Sequence, residues 1–120
     1  MNIQAFKPRA FLKEGCPFSF KLWLFMVEAG IADEIEVIRC DPRSSSFAQI
    51  KADLAKGLGR AATFPTVEIE PGRYQSDSDA LIRHFASRNN IDPGRLPALA
   101  FYQQTLLPQV VELHELKGEG

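Results

Sequence analysis

One predicted helix constrains the fold more than any other feature of this sequence. It should begin at Pro17, because proline is favoured in the first helical turn, where its missing N–H needs no partner, and end near Gly30. Apolar residues cover nearly its whole circumference, with Lys21 and Glu28 as the exceptions. Such a helix needs cover on more than one side. The sequence therefore predicts a helix that is central in the fold, or that is covered by another helix or a partner subunit.

The segments around this helix predict an α/β chain. A short apolar strand, Arg9 to Lys13, precedes the helix, and an alternating strand, Glu34 to Cys40, follows it. Two strands joined through a helix form a right-handed crossover and a parallel pair. Phe47 to Leu58 has the apolar spacing of a second helix, and residues 57–62 are predicted to be a flexible exit from it.

The next segment predicts a β-hairpin in the same sheet. Residues Thr66 to Glu70 alternate strictly, Pro71-Gly72 is a turn dipeptide, and Arg73 to Gln75 resumes the extended pattern. The hairpin adds two antiparallel strands to the parallel pair. The sheet is therefore predicted to be mixed and four-stranded.

A third helix and a helical tail complete the chain. The third helix is predicted to start with a capping box formed by Ser76 and Asp79 and to run to about Ser87. A linker, 89–97, leads to the tail, where Pro108 removes a backbone donor and should kink the helix or divide it. The apolar stripe of the tail is predicted to comprise Leu99, Tyr102, Leu106, Val110 and Leu113.

Composition excludes several classes of function. The chain has 120 residues, 14 Lys plus Arg and 15 Asp plus Glu, for a net charge of -1. This balance argues against nucleic acid or a membrane surface as a partner. The longest apolar run, Phe18 to Val27, is too short to cross a bilayer. The first residues lack the features of a secretory signal, so a cytoplasmic location is expected.

Cys16 is the residue to which the sequence assigns chemistry. A thiol just ahead of a helix faces backbone N–H groups and the positive end of the helix dipole, which favour the thiolate, the species that attacks disulfides. Ser19 stands where a Cys-x-x-Cys pair has its second cysteine. This predicts monothiol behaviour, in which a mixed disulfide at Cys16 is resolved by another thiol. The alternative is that Cys16 is simply a small residue in a tight turn.

Three ordered motifs carry a family resemblance. They are Cys-Pro-Phe-Ser at 16–19, Thr-Phe-Pro-Thr-Val at 63–67, and Gln-Ser-Asp-Ser-Asp-Ala-Leu-Ile at 75–82. Together they resemble the thioredoxin-like N-terminal domain of glutathione transferases, and the first motif is most similar to Omega-type transferases and glutaredoxins. The resemblance covers about residues 9–88. It implies an α/β, thioredoxin-like βαβαββα fold with a C-terminal helical extension.

The resemblance also implies two domains and a glutathione site. Residues 1–88 would form the glutathione-binding domain, and 89–120 a linker and helical tail, either the remnant or the start of the family's C-terminal helical domain. By analogy the Phe64-Pro65 bond is cis and the Phe64 backbone pairs with the cysteinyl part of glutathione. Asp77 and Ser78 would hold the γ-glutamyl end. The implied glutathione-binding residues are Cys16, Phe18, Phe64, Pro65, Asp77 and Ser78.

Simpler roles for these residues stay open. Pro65 would also suit the start of a strand as a trans proline, and Asp77 with Ser78 would serve as helix caps. A cation is expected to bind the glycine carboxylate of glutathione. The candidates include Lys51, Lys56 and Arg60, and the sequence does not choose between them.

For the remaining cysteine and the two histidines, the sequence predicts structural roles or exposure to solvent. Cys40 is interpreted as a buried structural thiol, with a resolving role as the alternative. His84 and His114 have no ligand-spaced neighbours, so packing or solvated roles are expected and no metal is predicted.

The leading hypothesis is a glutathione-dependent thiol transferase or thiol-disulfide oxidoreductase. Cys16 would be its nucleophile, glutathione its co-substrate, and a glutathionylated protein or small disulfide its second substrate. The alternative is a catalytically weak or inactive transferase-like module for binding or dimerisation. A third hypothesis is a monothiol glutaredoxin that shares an iron–sulfur cluster with glutathione. The apolar residues on two faces of the tail predict a homodimer.

Overall fold

The computed structural model describes residues 6–116, with the side chain of residue 116 excepted. The ends of the two predicted domains, residues 1–5 and 117–120, lie outside the described residues. The elements are β1 (Arg9–Lys13), α1 (Pro17–Glu28), β2 (Glu36–Cys40), α2 (Phe47–Leu58), β3 (Thr66–Glu70), β4 (Arg73–Ser76), α3 (Ser78–Arg88), α4 (Pro97–Phe101) and α5 (Leu107–Leu116).

The sheet confirms the predicted α/β, thioredoxin-like arrangement. Its strand order is β2-β1-β3-β4, with β1 and β2 parallel and both β1–β3 and β3–β4 antiparallel. In the parallel pair, Lys13 lies opposite Cys40 at the carboxyl ends of the two strands. Because Cys16 follows this end of β1 after a turn of two residues, the thiol lies at the edge of the sheet where two strands terminate.

The larger core lies between the sheet and the helices α1 and α3. Alternate residues of the strands face it, as the two-residue repeat of a strand requires. From α1 it takes Leu22, Phe25 and Met26. The prediction that α1 packs on several sides is confirmed, since it contacts β1, α3 and α4. Its outer face nevertheless leaves Phe20 and Val27 exposed.

The two charged residues of α1 both make contacts far along the chain. The ammonium of Lys21 pairs with the carboxylate of Asp79 in α3. The carboxylate of Glu28 accepts hydrogen bonds from the backbone N–H groups of Ala98 and Leu99, at 2.7 and 2.8 Å. Thus an otherwise apolar helix uses its charges to fix the two helices packed beside it.

The opposite face of the sheet is covered by α2 and has a smaller core. Phe11, Cys40 and Leu54 are buried there. The predicted flexible segment from residue 57 begins too early, because α2 continues to Leu58 and ends at Gly59, whose φ of 73° suits glycine. Position 57 lies within the helix and packs against the ring of Tyr74. It is a glycine because a Cβ at this position would overlap that ring.

Two predicted boundaries are wrong. The second strand begins at Glu36 instead of Glu34, because Ala32–Glu34 form a 3₁₀ turn. The capping box at α3 is absent: Asp77 is the N-cap, and its Oδ1 accepts a hydrogen bond from the N–H of Asp79 at 3.1 Å. Ser76 instead ends β4, and its hydroxyl pairs with Arg60. Several adjacent capping residues made the local pattern ambiguous.

The tail helix is divided by a π turn (Tyr102–Leu106) just before Pro108. The N–H of Leu107 bonds to the carbonyl of Tyr102, five residues earlier. A π turn adds one residue to the helical repeat, so side chains beyond it rotate to new positions. Consequently Leu99 and Tyr102 are buried as predicted, whereas Leu106 and Leu113 of the predicted stripe are exposed.

Candidate functional site

Cys16 is the N-cap of α1, as the sequence predicts. Its backbone is extended, and its Sγ accepts a hydrogen bond from the N–H of Ser19 at 3.4 Å. Pro17 occupies the first helical position. The thiol sulfur therefore occupies the place at which a helix presents its unpaired N–H groups and its positive dipole end.

Ser19 has a structural role on the other side of this turn. Its buried hydroxyl accepts a hydrogen bond from the backbone N–H of Lys13 at 3.0 Å. This bond ties the first turn of α1 to the end of β1. Phe18, which the resemblance implied as a binding residue, is exposed on the same turn.

The Phe64-Pro65 segment lies against Cys16, 48 residues later in the chain. The Phe64-Pro65 peptide bond is cis. The Cys16 thiol donates to the carbonyl oxygen of Phe64 at 3.7 Å. The structure therefore brings the thiol and the backbone acceptor next to the cis proline together.

Asp77 and Ser78 lie beside this segment because Thr66 pairs with Ser76 at the end of the hairpin. Ser78 is buried at the start of α3, and Asp77 is exposed. Asp77 has a φ of 81°, a region that residues other than glycine rarely adopt. Such strained positions cluster at functional sites. Capping is confirmed for Asp77, and its strain is an additional feature that capping alone does not require.

A cavity of about 650 Å³ opens beside Cys16. It lies between α1, the carboxyl ends of β1 and β2, and the tail, and its lining is mainly apolar. Phe64, Asp77 and Ser78 are not part of that lining, so Cys16 stands where the cavity meets their segment. Lining residues include Cys16, Phe20, Trp23, Arg39, Tyr102 and Val110.

Tyr102 connects the tail to the Cys16 turn, a contact that no sequence pattern indicated. Its hydroxyl donates to the carbonyl oxygen of Pro17 at 2.6 Å, and its ring packs edge-on against Phe20. Burial, and secondarily the charge of Cys16, raise the pKa of Tyr102. The prediction placed Tyr102 on a buried stripe, but no local pattern indicated which turn it would contact.

The three candidate cations differ in their surroundings. Lys51 Nζ lies 5.8 Å from the ring centre of Phe47, which stacks on Phe64 at 5.7 Å. The guanidinium of Arg60 pairs with the hydroxyl of Ser76. Lys56 is exposed on α2. Of the three, Lys51 is the one linked through aromatic contacts to the Phe64-Pro65 segment.

Cys40 is buried in the core beneath α2. Its thiol donates to the carbonyl oxygen of Ile38 at 3.5 Å, and burial, followed by the charge of Glu14, raises the pKa of the thiol. This environment supports the structural interpretation over a resolving role. Both cysteines are free thiols.

The histidines are placed away from these groups. His84 packs edge-on against Phe85, and burial, together with the charges of Arg88 and Arg73, lowers its pKa. His114 is on α5. Among residues 6–116, no three His, Cys, Asp or Glu side chains converge in a way that could hold a metal ion. Over the same range, no helix has the length and apolarity needed to cross a membrane.

Comparisons with known proteins identify the family. The family model of the glutathione S-transferase N-terminal domain matches residues 15–88. This match spans more than half of the chain, and the chain therefore belongs to the glutathione S-transferase family. A search of curated proteins finds no match.

A solved structure agrees with the fold. It is the crystal structure of a possible glutathione S-transferase from Rhodopseudomonas palustris, with a TM-score of 0.54 and 18% sequence identity. The match covers 91% of this chain and 57% of that one, so the chain spans a little over half the length of this relative.

Proposed function

We propose that this protein is a glutathione-dependent thiol transferase with Cys16 as its nucleophile. One observation carries the proposal: the Cys16 sulfur caps a helix start, contacts the carbonyl of Phe64 beside a cis proline, and opens onto a cavity. A sulfur in this setting has a backbone N–H beside it, lies at the positive end of a helix dipole, and has access for a second molecule.

The reaction is thiol–disulfide exchange in two steps. The Cys16 thiolate attacks the glutathione sulfur of a glutathionylated substrate, so a Cys16–glutathione disulfide forms and the substrate leaves as its thiolate. A second glutathione thiolate then attacks the glutathione sulfur of that disulfide. Glutathione disulfide departs and the Cys16 thiolate returns. Overall one substrate disulfide is reduced and two glutathione units are joined.

The segments around Cys16 provide the polar groups that glutathione needs. The Phe64 carbonyl, which accepts from the Cys16 thiol, would accept from the cysteinyl N–H of glutathione once the thiol has lost its proton. At the start of α3, Ser78 and the helix N–H groups suit the γ-glutamyl carboxylate, and Asp77 suits its ammonium. Phe18 would contact the tripeptide from the exposed first turn of α1.

We assign the glycine carboxylate of glutathione to Lys51. Its ammonium lies over Phe47, and the stacked rings of Phe47 and Phe64 lead from it toward the segment that binds the cysteinyl part. Arg60 is already paired with Ser76 beside the γ-glutamyl end. A Lys51→Met variant should therefore bind glutathione more weakly than a Lys56→Met variant does.

The cavity would receive the other half of the mixed disulfide. Its lining from Phe20, Trp23 and Tyr102 suits an apolar or aromatic thiol. Because Tyr102 and Val110 come from beyond residue 88, the tail would contribute to the site although it follows the glutathione-binding domain. In the proposed division into 1–88 and 89–120, the first part holds the glutathione-binding residues and the second completes the cavity.

The proposal is tested by glutathione-dependent reduction of a mixed disulfide. Cys16→Ser should reduce turnover at least 100-fold, because a hydroxyl is not ionised at neutral pH and cannot form the disulfide. Cys40→Ala serves as the matched control and should retain most of the activity, since this thiol is buried. Full turnover by Cys16→Ser would refute the mechanism.

The second candidate is a binding or dimerisation module without turnover. The exposed apolar residues of the tail, led by Phe101 at 63% exposure, favour a second copy of the chain as a partner. Glutathione calorimetry on wild type and Ser78→Ala separates the cases: Ser78-dependent binding without turnover would support the module. Light scattering at micromolar concentration should show a dimer, and a monomeric mass would contradict this.

The proposed location is the cytoplasm. Two free thiols fit its reducing conditions.

A further inference from the structure

Lys21 is a buried cation in an apolar helix. Its side chain is 6% exposed, and its ammonium pairs with Asp79, whose side chain is 61% exposed. Taking an ammonium out of water costs free energy that one exposed partner recovers only in part. The pair with Asp79 ties α1 to α3, but the buried ammonium offsets much of that gain, and an apolar side chain of similar length would fill the same space without this cost.

The ammonium also lies where a helix dipole disfavours it. Asp79 belongs to the first turn of α3, immediately after Ser78. The start of a helix carries a partial positive charge that attracts anions and repels cations. Two carboxylates, those of Asp77 and Asp79, belong to this turn. The ammonium of Lys21 reaches the second of them from α1, which packs against α3.

The chemistry of the γ-glutamyl group explains the arrangement. This group carries one ammonium and one carboxylate, so its site needs one acidic side chain and one anion-binding position. Two uncompensated carboxylates beside Ser78 would repel the ligand carboxylate. With Lys21 paired to Asp79, one acidic side chain remains for the ammonium.

We propose that Lys21 is a positioning residue for glutathione. Its ammonium compensates the negative charge of the Asp79 carboxylate, so that Asp77 is left as the acceptor for the γ-glutamyl ammonium. The start of α3 thereby stays favourable to the γ-glutamyl carboxylate. The inference rests on the proposed function, because it concerns how the same site selects an amino-acid zwitterion.

The test is glutathione binding by calorimetry with the full chain. Lys21→Met should weaken binding roughly ten-fold, because one unit charge a few ångströms from the ligand carboxylate has an effect of this order. The double variant Lys21→Met/Asp79→Asn should return to within about two-fold of wild type, because it restores the local charge balance. Arg83→Met removes one positive charge from the exposed side of α3 and is the control for net charge.

A second ligand distinguishes this role from a structural one. A glutathione analogue that lacks the γ-glutamyl carboxylate but keeps the ammonium should bind Lys21→Met at least as well as it binds wild type. Equal losses for both ligands, or no recovery in the double variant, would overturn the inference. Both variants should stay folded, because removing Lys21 leaves Asp79 in water; thermal unfolding verifies this.

The outcomes separate the two proposals. If wild type binds glutathione in a Ser78-dependent manner and Lys21→Met binds it equally well, only this inference fails. If wild type does not bind glutathione, the proposed function fails and this inference fails with it.

Discussion

The two faces of the sheet are built differently. Among the described residues, the core under α1 and α3 contains 14 buried apolar side chains, and the core under α2 contains 3. On the α2 face, Phe47, Phe64 and Tyr74 are only partly buried, and a polar cluster around Glu68 does part of the packing. The comparison teaches that one face provides most of the stability, whereas the other leaves Phe64 and Lys51 accessible to a ligand.

Matched leucine substitutions test this difference most strongly. Leu22 on α1 and Leu54 on α2 are both buried. Leu22→Ala should cost about 4 kcal/mol of unfolding free energy, because its surroundings are fixed on several sides. Leu54→Ala should cost about 2–3 kcal/mol, because α2 covers few buried neighbours and can settle into the space. Urea unfolding measures both values, and a larger loss at Leu54 would contradict the comparison.

Glu68 tests the polar part of the α2 face. Its carboxylate binds the Arg9 guanidinium at 2.6 and 2.8 Å and the Gly72 N–H at 2.8 Å. Burial would raise the pKa of Glu68, but the bonds from Gly72 and Arg9 outweigh burial and lower it. Glu68→Gln should lose about 1–2 kcal/mol at neutral pH.

The pH dependence of this loss follows from the sign of the shift. A lowered pKa in the folded state stabilises the protein fully above the unfolded pKa of a glutamate, about 4.3, and the effect disappears as pH falls through the folded pKa. The stability gap between wild type and Glu68→Gln should therefore narrow below about pH 4. A gap that is constant from pH 7 to pH 3 would show that the lowered pKa contributes nothing.

Asp77 provides the smallest effect and the sharpest contrast between stability and binding. Its positive φ costs about 1–3 kcal/mol in a residue other than glycine. Asp77→Gly relieves this strain and loses only a few tenths of a kcal/mol as a cap. Unfolding should show equal or slightly higher stability, whereas glutathione affinity should fall. A variant that is less stable and binds normally would contradict the assigned role.

Local rules were sufficient for much of the fold. Pro17 after Cys16 predicted the start of α1 because this signal needs no distant partner. The capping box at Ser76 was wrong because four adjacent residues can all cap a helix. Leu106 was misplaced because a π turn shifts the helical repeat, and no simple apolar period shows this.

The site depended more on distant contacts. The placement of Cys16 at a helix start came from neighbouring residues, whereas the cis bond at Phe64-Pro65 was expected from the family resemblance alone. The partners of Lys21 and Glu28 lie 58 and 70 residues away, and Tyr102 lies 85 residues beyond Pro17. Two charges in an apolar helix were a visible signal, but the sequence could not show what they contact.

The central claim is that Cys16 forms a mixed disulfide with glutathione at a site built by the fold. Intact mass and peptide mapping after exposure to glutathione disulfide test it most directly, with the urea-unfolded chain as reference. The account predicts one glutathione, attached to Cys16, forming faster in the folded protein and released by reduced glutathione. An adduct on Cys40, or equal rates at Cys16 in the folded and unfolded chains, would contradict it.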